Sequence, residues 1–174
     1  MREQPEALTT ARLSLREPRH EDARRLAAFA GDFDVARMTT NIPHPYGQAD
    51  AEAYLGRVAA RDRATQAVFA LDLADEGLIG IVGFHPKGVG VEVGYWLGRP
   101  YWGRGYATEA ARAALGWAGE DWGRRCVVSG HFADNPASGR VLEKAGFLYT
   151  GVIEPRRSVA RGADAATRLM LWLA

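Results

Sequence analysis

Residues 94–115, GYWLGRPYWGRGYATEAARAAL, contain the pattern that decides the fold. An apolar strand ends at Leu97, a turn carries Gly103 and Gly105, and an alanine-rich helix is predicted over 105–120. Such a turn allows close backbone approach and presents unpaired N–H groups at the positive end of the helix dipole. The pattern predicts either a nest for a pyrophosphate or only a tight turn onto an alanine-lined packing face. Spacing alone leaves both interpretations open.

Two well-known phosphate loops do not fit this turn. A Walker A loop requires Gly-Lys followed by Ser or Thr, whereas Gly105 is followed by Tyr106. A dinucleotide fingerprint requires a third glycine where Thr108 stands, and it belongs to a parallel strand–helix repeat. The sequence therefore indicates neither a Walker-type nucleotide hydrolase nor a Rossmann dehydrogenase.

The flanking segments predict helices and strands of one domain over residues 1–174. Helical periodicity appears in four segments, 20–30, 33–39, 49–63 and 105–120. Apolar runs predict seven strands, at 12–16, 67–73, 78–85, 89–97, 125–132, near 148–157 and at 167–173. Short turns at 75–77 and 86–88 make the three middle strands an antiparallel meander. The expected class is α+β, with α/β layers and a mixed, mostly antiparallel sheet.

A fifth helix, in NPASGRVLEKAGF (135–147), has clear end signals. Asn135 is a suitable N-cap, Pro136 fits the first helical position, and Gly146 fits the position just after the helix. The helix is therefore predicted between Asn135 and Gly146.

Composition excludes several classes of function. The net charge is +1 with no basic stripe, which does not favour nucleic-acid binding, and the four histidines lack metal-ligand spacing. No apolar run approaches the roughly 20 residues of a membrane span, and residues 1–10 do not resemble a signal peptide. The single cysteine, Cys126, lies in an apolar run and is expected to be a buried, inert thiol. We expect a cytoplasmic protein without membrane or nucleic-acid partners.

The 94–115 segment resembles the acetyl-CoA-binding segment of the GNAT N-acetyltransferase superfamily. It is most similar to the branch of ribosomal-protein N-terminal (alanine/serine) acetyltransferases. Three further segments resemble that branch in the same order: TARLSLREPRHEDARRL (10–26), NIPHPYGQADAEAYL (41–55) and NPASGRVLEKAGF (135–147). The superfamily pattern begins with Gln or Arg three residues before the first glycine, and Pro100 departs from it.

The resemblance implies a GNAT acyl-CoA N-acyltransferase fold, with a seven-stranded sheet splayed between its fourth and fifth strands. It implies acetyl-CoA as co-substrate, an amine acceptor and no metal, and it leaves a monomer and a homodimer open. The pantetheine arm would lie along Tyr95, Trp96 and Leu97, and Asn135 caps its helix, binds this arm, or does both through different atoms. The pyrophosphate would meet the turn and the helix start, at Gly103, Arg104, Gly105, Tyr106, Ala107 and Thr108.

Two residues are the candidates for proton transfer. Glu92 is the one charge in the apolar strand VGVEVGYWL, where partial burial would raise its pKa towards that of a general base, although it could instead face solvent. Leu142 occupies the slot where many GNAT members have a tyrosine as proton donor. The resemblance implies Ser138 instead, because Asn135–Ser138 matches the N-x-x-S motif of the branch, although this serine could also only help to cap its helix. Leu142 also keeps a second hypothesis open, a catalytically silent acyl-CoA-binding regulatory module.

Overall fold

The computed structural model describes residues 4–88 and 90–174, in which eight strands and five α-helices are formed. The strands are β1 (Ala7–Thr9), β2 (Leu13–Arg16), β3 (Ala67–Leu73), β4 (Gly77–Lys87), β5 (Gly90–Leu97), β6 (Cys126–Phe132), β7 (Leu148–Ser158) and β8 (Ala163–Leu173). The helices are α1 (Ala23–Ala30), α2 (Phe33–Ala36), α3 (Gln48–Ala59), α4 (Tyr106–Glu120) and α5 (Pro136–Lys144).

All eight strands belong to one mixed sheet in the order β1-β2-β3-β4-β5-β6-β8-β7. Every neighbouring pair is antiparallel except β5 and β6, which are parallel and share the register pairs Val91–Val127 and Glu92–Val128. The pairing described between them ends at Glu92, although β5 continues to Leu97. The expected splay of the sheet is therefore confirmed, and it opens beyond Val93, whose carbonyl still accepts the Ser129 hydroxyl of β6 at 2.9 Å.

Two elements differ from the prediction in ways that matter for topology. The sheet has eight strands and not seven, because Ala7–Thr9 pairs with β2 although three residues are too short to show an alternating pattern. Pro86, expected in a turn, lies within β4 opposite Val91, so the hairpin is longer than predicted. Val89, the first residue of the predicted fourth strand, lies outside the described residues.

Helix lengths also differ from the sequence prediction. A 3₁₀ turn at His20–Asp22 precedes α1, which begins at Ala23. Helix α2 ends at Ala36 and α3 at Ala59, both earlier than expected, because the following residues turn without continuing the helical ladder. None of the helices in the described ranges is long and apolar enough to cross a membrane.

The predicted ends of the fifth helix are confirmed. The side-chain oxygen of Asn135 accepts the N–H of Ser138 at 3.2 Å, and Pro136 opens α5. Gly146 has a φ of 97°, the left-handed conformation that ends helices and that glycine adopts without strain. The local sequence therefore determines where α5 starts and stops.

The prediction for Cys126 was wrong, since this residue is exposed. Cys126 is the first residue of β6, and burial begins with its neighbour Val127. Successive side chains of a strand point to opposite faces, so the apolar run of the sequence does not bury all of its members.

The two faces of the sheet carry different helices and separate cores. Val91, Val93 and Leu97 of β5 belong to a cluster that includes α4, whereas Trp96 packs against a second cluster formed with α1 and α3. Odd- and even-numbered residues of β5 therefore face opposite sides of the sheet.

Candidate active site

The turn before α4, here named the glycine turn (Gly103–Gly105), has left-handed backbone at both ends. The φ angles are 72° at Gly103 and 82° at Gly105, and Gly105 directly precedes the first residue of α4. The N–H of Glu109 donates to the Gly105 carbonyl, which is the first bond of the helical ladder. The N–H groups of Tyr106, Ala107 and Thr108 therefore have no intrahelical acceptor and are available to a ligand.

The side chains around the glycine turn leave its outer surface accessible. Arg104 is exposed, and its guanidinium lies 5.3 Å from the centroid of the buried Tyr106 ring. An open cavity of about 610 Å³ adjoins the turn, and it is lined by Thr10, Arg12, Gly105, Thr108, Glu109, Arg112, Ala113 and Lys144.

Part of the backbone of β5 faces the opening between β5 and β6. Gly98 donates its N–H to Ile79 across the β4–β5 ladder, and hydrogen-bonded groups alternate along antiparallel strands. The backbone groups of Tyr95 and Leu97 therefore point away from β4 into this opening, whereas those of Trp96 point toward β4. The indole N–H of Trp102 donates to the Leu97 carbonyl at 2.8 Å, so this carbonyl already has a partner.

The side chain of Tyr95 makes a contact that the sequence did not predict. Its phenol oxygen lies 2.8 Å from Ser138 Oγ and 2.9 Å from the Ser138 carbonyl oxygen. Burial raises the pKa of Tyr95 well above its usual value, against a smaller lowering by Ser138. Tyr95 therefore stays protonated at neutral pH and holds the first turn of α5 beside the opening.

Leu142, one helical turn after Ser138, is fully buried in the core cluster on the α4 side. Its aliphatic side chain carries no proton that it could donate to a thiolate.

Glu92 is a half-buried, ion-paired carboxylate and not the isolated charge that the strand pattern suggested. Its Oε1 pairs with Arg156 of β7, and its Oε2 lies 3.7 Å from Lys87 Nζ. Arg156 also donates to Glu154 at 2.8 Å. Burial lowers the pKa of Arg156, but its hydrogen bonds to the two carboxylates outweigh this and raise it.

His85 stands directly opposite Glu92 in the β4–β5 register. Burial lowers the pKa of His85, with a smaller opposing effect of the Glu92 charge, so the imidazole is mostly neutral at pH 7. The charges next to Glu92 are therefore those of Arg156 and Lys87.

Glu92 and the Tyr95–Ser138 pair lie on opposite faces of the sheet. Tyr95 packs against the α4-side cluster, and Trp96 packs on the α1–α3 side. Glu92 lies an even number of residues from Trp96 along β5, so its side chain points to the same face as that of Trp96. The opening between β5 and β6 begins between these positions, since the described pairing ends at Glu92. Glu92 and the Tyr95–Ser138 pair therefore lie near the start of the opening on opposite faces of the sheet.

The α1–α3 face carries a smaller cavity of about 170 Å³ beneath the 41–46 loop. It is lined by Asn41, Ile42, Pro43, Tyr46, Asp50, Ala53, Tyr54 and Arg57. Burial raises the pKa of Tyr54 well above its usual value, so its phenol stays protonated. The loop between α2 and α3 is thus one wall of a polar and aromatic recess.

The tip of the β7–β8 hairpin closes the side of this face. Val159 donates its N–H to the Thr40 carbonyl at 3.1 Å, and Arg161 bridges the Arg37 carbonyl and Asp134. These contacts hold β7, and with it Arg156, in place.

In residues 4–88 and 90–174, no group of three or more His, Cys, Asp or Glu side chains is arranged to hold a metal ion.

Known proteins similar to this chain were identified by sequence and by structure. A family model described as the acetyltransferase (GNAT) domain matches residues 12–148. An uncharacterised N-acetyltransferase of Bacillus subtilis, YoaA, is 28% identical over 151 residues, covering 84% of this chain and 85% of that protein. The ribosomal-protein-serine acetyltransferase of Escherichia coli is 29% identical over 102 residues, covering 57% and 56%.

The fold is shared with solved acetyltransferases. The structure of RimL, a ribosomal L7/L12 α-N-protein acetyltransferase in complex with coenzyme A, superposes with a TM-score of 0.83. It covers 97% of this chain and 98% of RimL at 15% sequence identity. The match of the family model to most of the chain, together with this fold, shows that the chain belongs to the GNAT family of acetyl-CoA-dependent acetyltransferases.

Proposed function

We propose that the protein transfers the acetyl group of acetyl-CoA to a primary amine, by direct attack of the amine on the thioester in a ternary complex. The acceptor is a protein N-terminus, a peptide or a small-molecule amine. The observation that carries this proposal is the opening between β5 and β6, with Glu92 on one face and the Tyr95–Ser138 pair on the other. The two substrates would approach the opening from opposite faces.

The coenzyme is proposed to lie on the α4 side. Its pantetheine arm would bond the carbonyl of Tyr95 and the N–H of Leu97, which point into the opening. Asn135 uses its side-chain oxygen to cap α5, which leaves its NH₂ group as a donor to the same arm. The diphosphate would accept hydrogen bonds from backbone N–H groups between Gly103 and Thr108.

Glu92 is the proposed proton acceptor for the arriving ammonium. Loss of one proton gives the neutral amine, whose lone pair forms the new C–N bond with the thioester carbon. The N-terminal amine of a peptide suits a carboxylate base, because its reference pKa is only about 7.7–8.0. The name of the E. coli relative, a ribosomal-protein-serine acetyltransferase, supports an acceptor of this type.

The remaining steps concern the oxyanion and the sulfur. The N–H of Tyr95, which faces the opening, would stabilise the negative oxygen of the tetrahedral intermediate. When the C–S bond breaks, the thiolate would take a proton from the Ser138 hydroxyl. Tyr95, whose phenol contacts Ser138 Oγ, would supply the replacement and regain its own proton from water, which also receives the second proton that the attacking nitrogen releases.

Release of free thiol from acetyl-CoA, measured across a panel of amines, tests this function. Direct attack predicts thiol release that depends on an amine, and intersecting lines in two-substrate kinetics. Thiol release without an amine, or an acetylated enzyme detected by mass spectrometry, would contradict direct attack. Binding of acetyl-CoA without release for any amine would instead support the silent regulatory module, which no described feature of the site favours.

A further inference from the structure

A carboxylate lies where the proposed coenzyme site requires positive potential. Glu109 belongs to the first turn of α4 and lines the open cavity beside the glycine turn. An acidic side chain in the first turn stabilises a helix by itself, but it repels a diphosphate bound at the same helix end. The chain therefore needs a means of offsetting this charge.

Both oxygens of Glu109 are held by the segment between β1 and β2. Oε1 accepts the Thr10 hydroxyl at 2.6 Å and the Arg12 backbone N–H at 2.9 Å. Oε2 accepts Arg12 Nε at 2.7 Å and lies 2.6 Å from Arg12 Nη2. Burial alone would raise the pKa of Glu109, but the hydrogen bonds from Thr10 and Arg12 outweigh it and hold the pKa below its usual range. Glu109 is thus ionised and fully paired.

The same guanidinium also holds the glycine turn. Arg12 Nη1 donates to the carbonyl of Arg104, the residue between the two glycines, at 2.9 Å. In a trans peptide the C=O and the following N–H point in opposite directions. Because the Arg104 carbonyl faces Arg12, the N–H of Gly105 faces away from it.

The guanidinium fits closely in this position. It lies 4.4 Å from the centroid of the Tyr106 ring, and a Cβ atom on Gly105 would stand 3.3 Å from Arg12 Nη2. Arg12 therefore touches the carboxylate, the peptide plane and the first side chain of α4 at once, through a planar group that lysine cannot reproduce.

We propose that Arg12 and Glu109 are a positioning pair for the coenzyme's diphosphate. Arg12 orients the Arg104–Gly105 peptide so that the N–H of Gly105 faces the diphosphate, and it neutralises Glu109 so that the diphosphate meets no unpaired carboxylate. Neither residue needs to touch the reacting atoms. This inference rests on the proposed placement of the diphosphate at the glycine turn.

The test measures acetyl-CoA binding by calorimetry for wild type, Arg12→Ala, Arg12→Lys, Glu109→Gln and the double variant Arg12→Ala/Glu109→Gln. Arg24→Ala is the control, because Arg24 is an exposed arginine on α1. We expect Arg12→Ala to weaken binding by about 10-fold or more, the usual effect of losing charged hydrogen bonds. Arg12→Lys should lie between Arg12→Ala and wild type. Glu109→Gln keeps an acceptor for Arg12 but loses the ion pair that holds it, so it should weaken binding less than Arg12→Ala does. Arg24→Ala should bind as well as wild type.

The double variant separates charge from packing. Removing the carboxylate that Arg12→Ala leaves unpaired should restore affinity by about threefold or more relative to the single variant, since the pair is coupled. A double variant no tighter than Arg12→Ala would overturn the electrostatic part of the proposal.

A second ligand separates positioning of the diphosphate from a general structural role. S-acetylpantetheine lacks the diphosphate, and its weak binding can be followed by saturation-transfer NMR. Arg12→Ala should leave its binding unchanged, and an equal loss for both ligands would overturn the proposal. If wild-type protein binds acetyl-CoA and the Arg12 variants bind it with the same affinity, the positioning role of Arg12 and Glu109 is wrong but the proposed function stands. Wild-type protein that fails to bind acetyl-CoA would overturn the proposed function as well.

Discussion

The phenol of Tyr95 on β5 and the hydroxyl of Ser138 on α5 lie 2.8 Å apart, and they connect the strand to the helix beside the splayed part of the sheet. The backbone N–H of the same serine donates to the side-chain oxygen of Asn135. The serine hydroxyl is therefore fixed in place before any ligand arrives.

This contact predicts that Ser138→Ala lowers kcat by about 10-fold or more and that Tyr95→Phe lowers it less, with acetyl-CoA affinity within about twofold of wild type. Because the two hydroxyls act as one unit, the double variant should lose less than the product of the two single losses. Tyr149→Phe is the control, since this phenol contacts His131 and not Ser138. Full activity of Ser138→Ala would exclude it as proton donor.

Glu92→Gln should lower kcat by at least about 10-fold while acetyl-CoA affinity is roughly kept, because the amide cannot accept the ammonium proton. Steady-state kinetics together with calorimetric binding would check both expectations. The matched variant is Glu154→Gln, which also removes a carboxylate partner of Arg156 but leaves Glu92 in place. Turnover of Glu92→Gln equal to that of wild type would refute its role as base.

Amide hydrogen exchange should alternate along β5. The N–H groups of Gly94 and Trp96 face β4 and should exchange slowly, whereas those of Tyr95 and Leu97 face the opening and should exchange faster. Saturating coenzyme A should slow exchange at Tyr95 and Leu97 and leave Gly94 and Trp96 little changed. NMR-detected exchange resolves these four amides, and equal protection in the free protein would argue against a backbone-lined pantetheine site.

The free energy of unfolding should depend on pH through Asp22. Its carboxylate accepts two hydrogen bonds from Arg16 at 2.8 Å and one from the Arg19 N–H. Burial alone would raise the pKa of Asp22, but these hydrogen bonds outweigh it and lower the pKa. The stabilisation is therefore complete above the unfolded-state pKa of about 3.9 and is lost as pH falls through the lower folded-state value.

We expect Asp22→Asn to reduce the free energy of unfolding at pH 7 by about 1.5–3 kcal/mol, and the gap to wild type to narrow below about pH 4. Urea unfolding at several pH values would measure it. The control is Asp34→Asn, which removes a carboxylate from a more exposed ion pair with Arg37. A gap that stayed constant down to pH 2 would show that the Asp22 charge is not the source.

The parts of the fold that the sequence predicted depend on local signals. Asn135 and Gly146 mark the ends of α5 because capping and left-handed backbone are properties of a few consecutive residues. The glycine turn is local for the same reason. Residue type alone did not reveal that Cys126 is exposed, because this depends on where its strand begins.

The contacts that complete the site are non-local, and the sequence could not show them. Arg156 reaches Glu92 from 64 positions away, and Arg12 reaches Glu109 from 97 positions away. The sequence predicts that the backbone of Tyr95 binds the pantetheine arm. It does not show that the phenol of Tyr95 on β5 contacts Ser138 on α5. A single charged residue in an otherwise apolar stretch of sequence, such as Glu92, is the one signal that a distant partner of opposite charge should be sought.

The short parallel pairing between β5 and β6 divides the sheet into two antiparallel blocks, which are joined at one end of the β5–β6 opening. One block contains β1 to β5 and the other contains β6, β8 and β7, and Val91–Val127 and Glu92–Val128 are the register pairs described between them. If the two blocks rotate relative to each other about this pairing, the end of the opening near Leu97 moves most and the paired residues move least. Glu92 would then keep its position while the width of the opening near Leu97 changes.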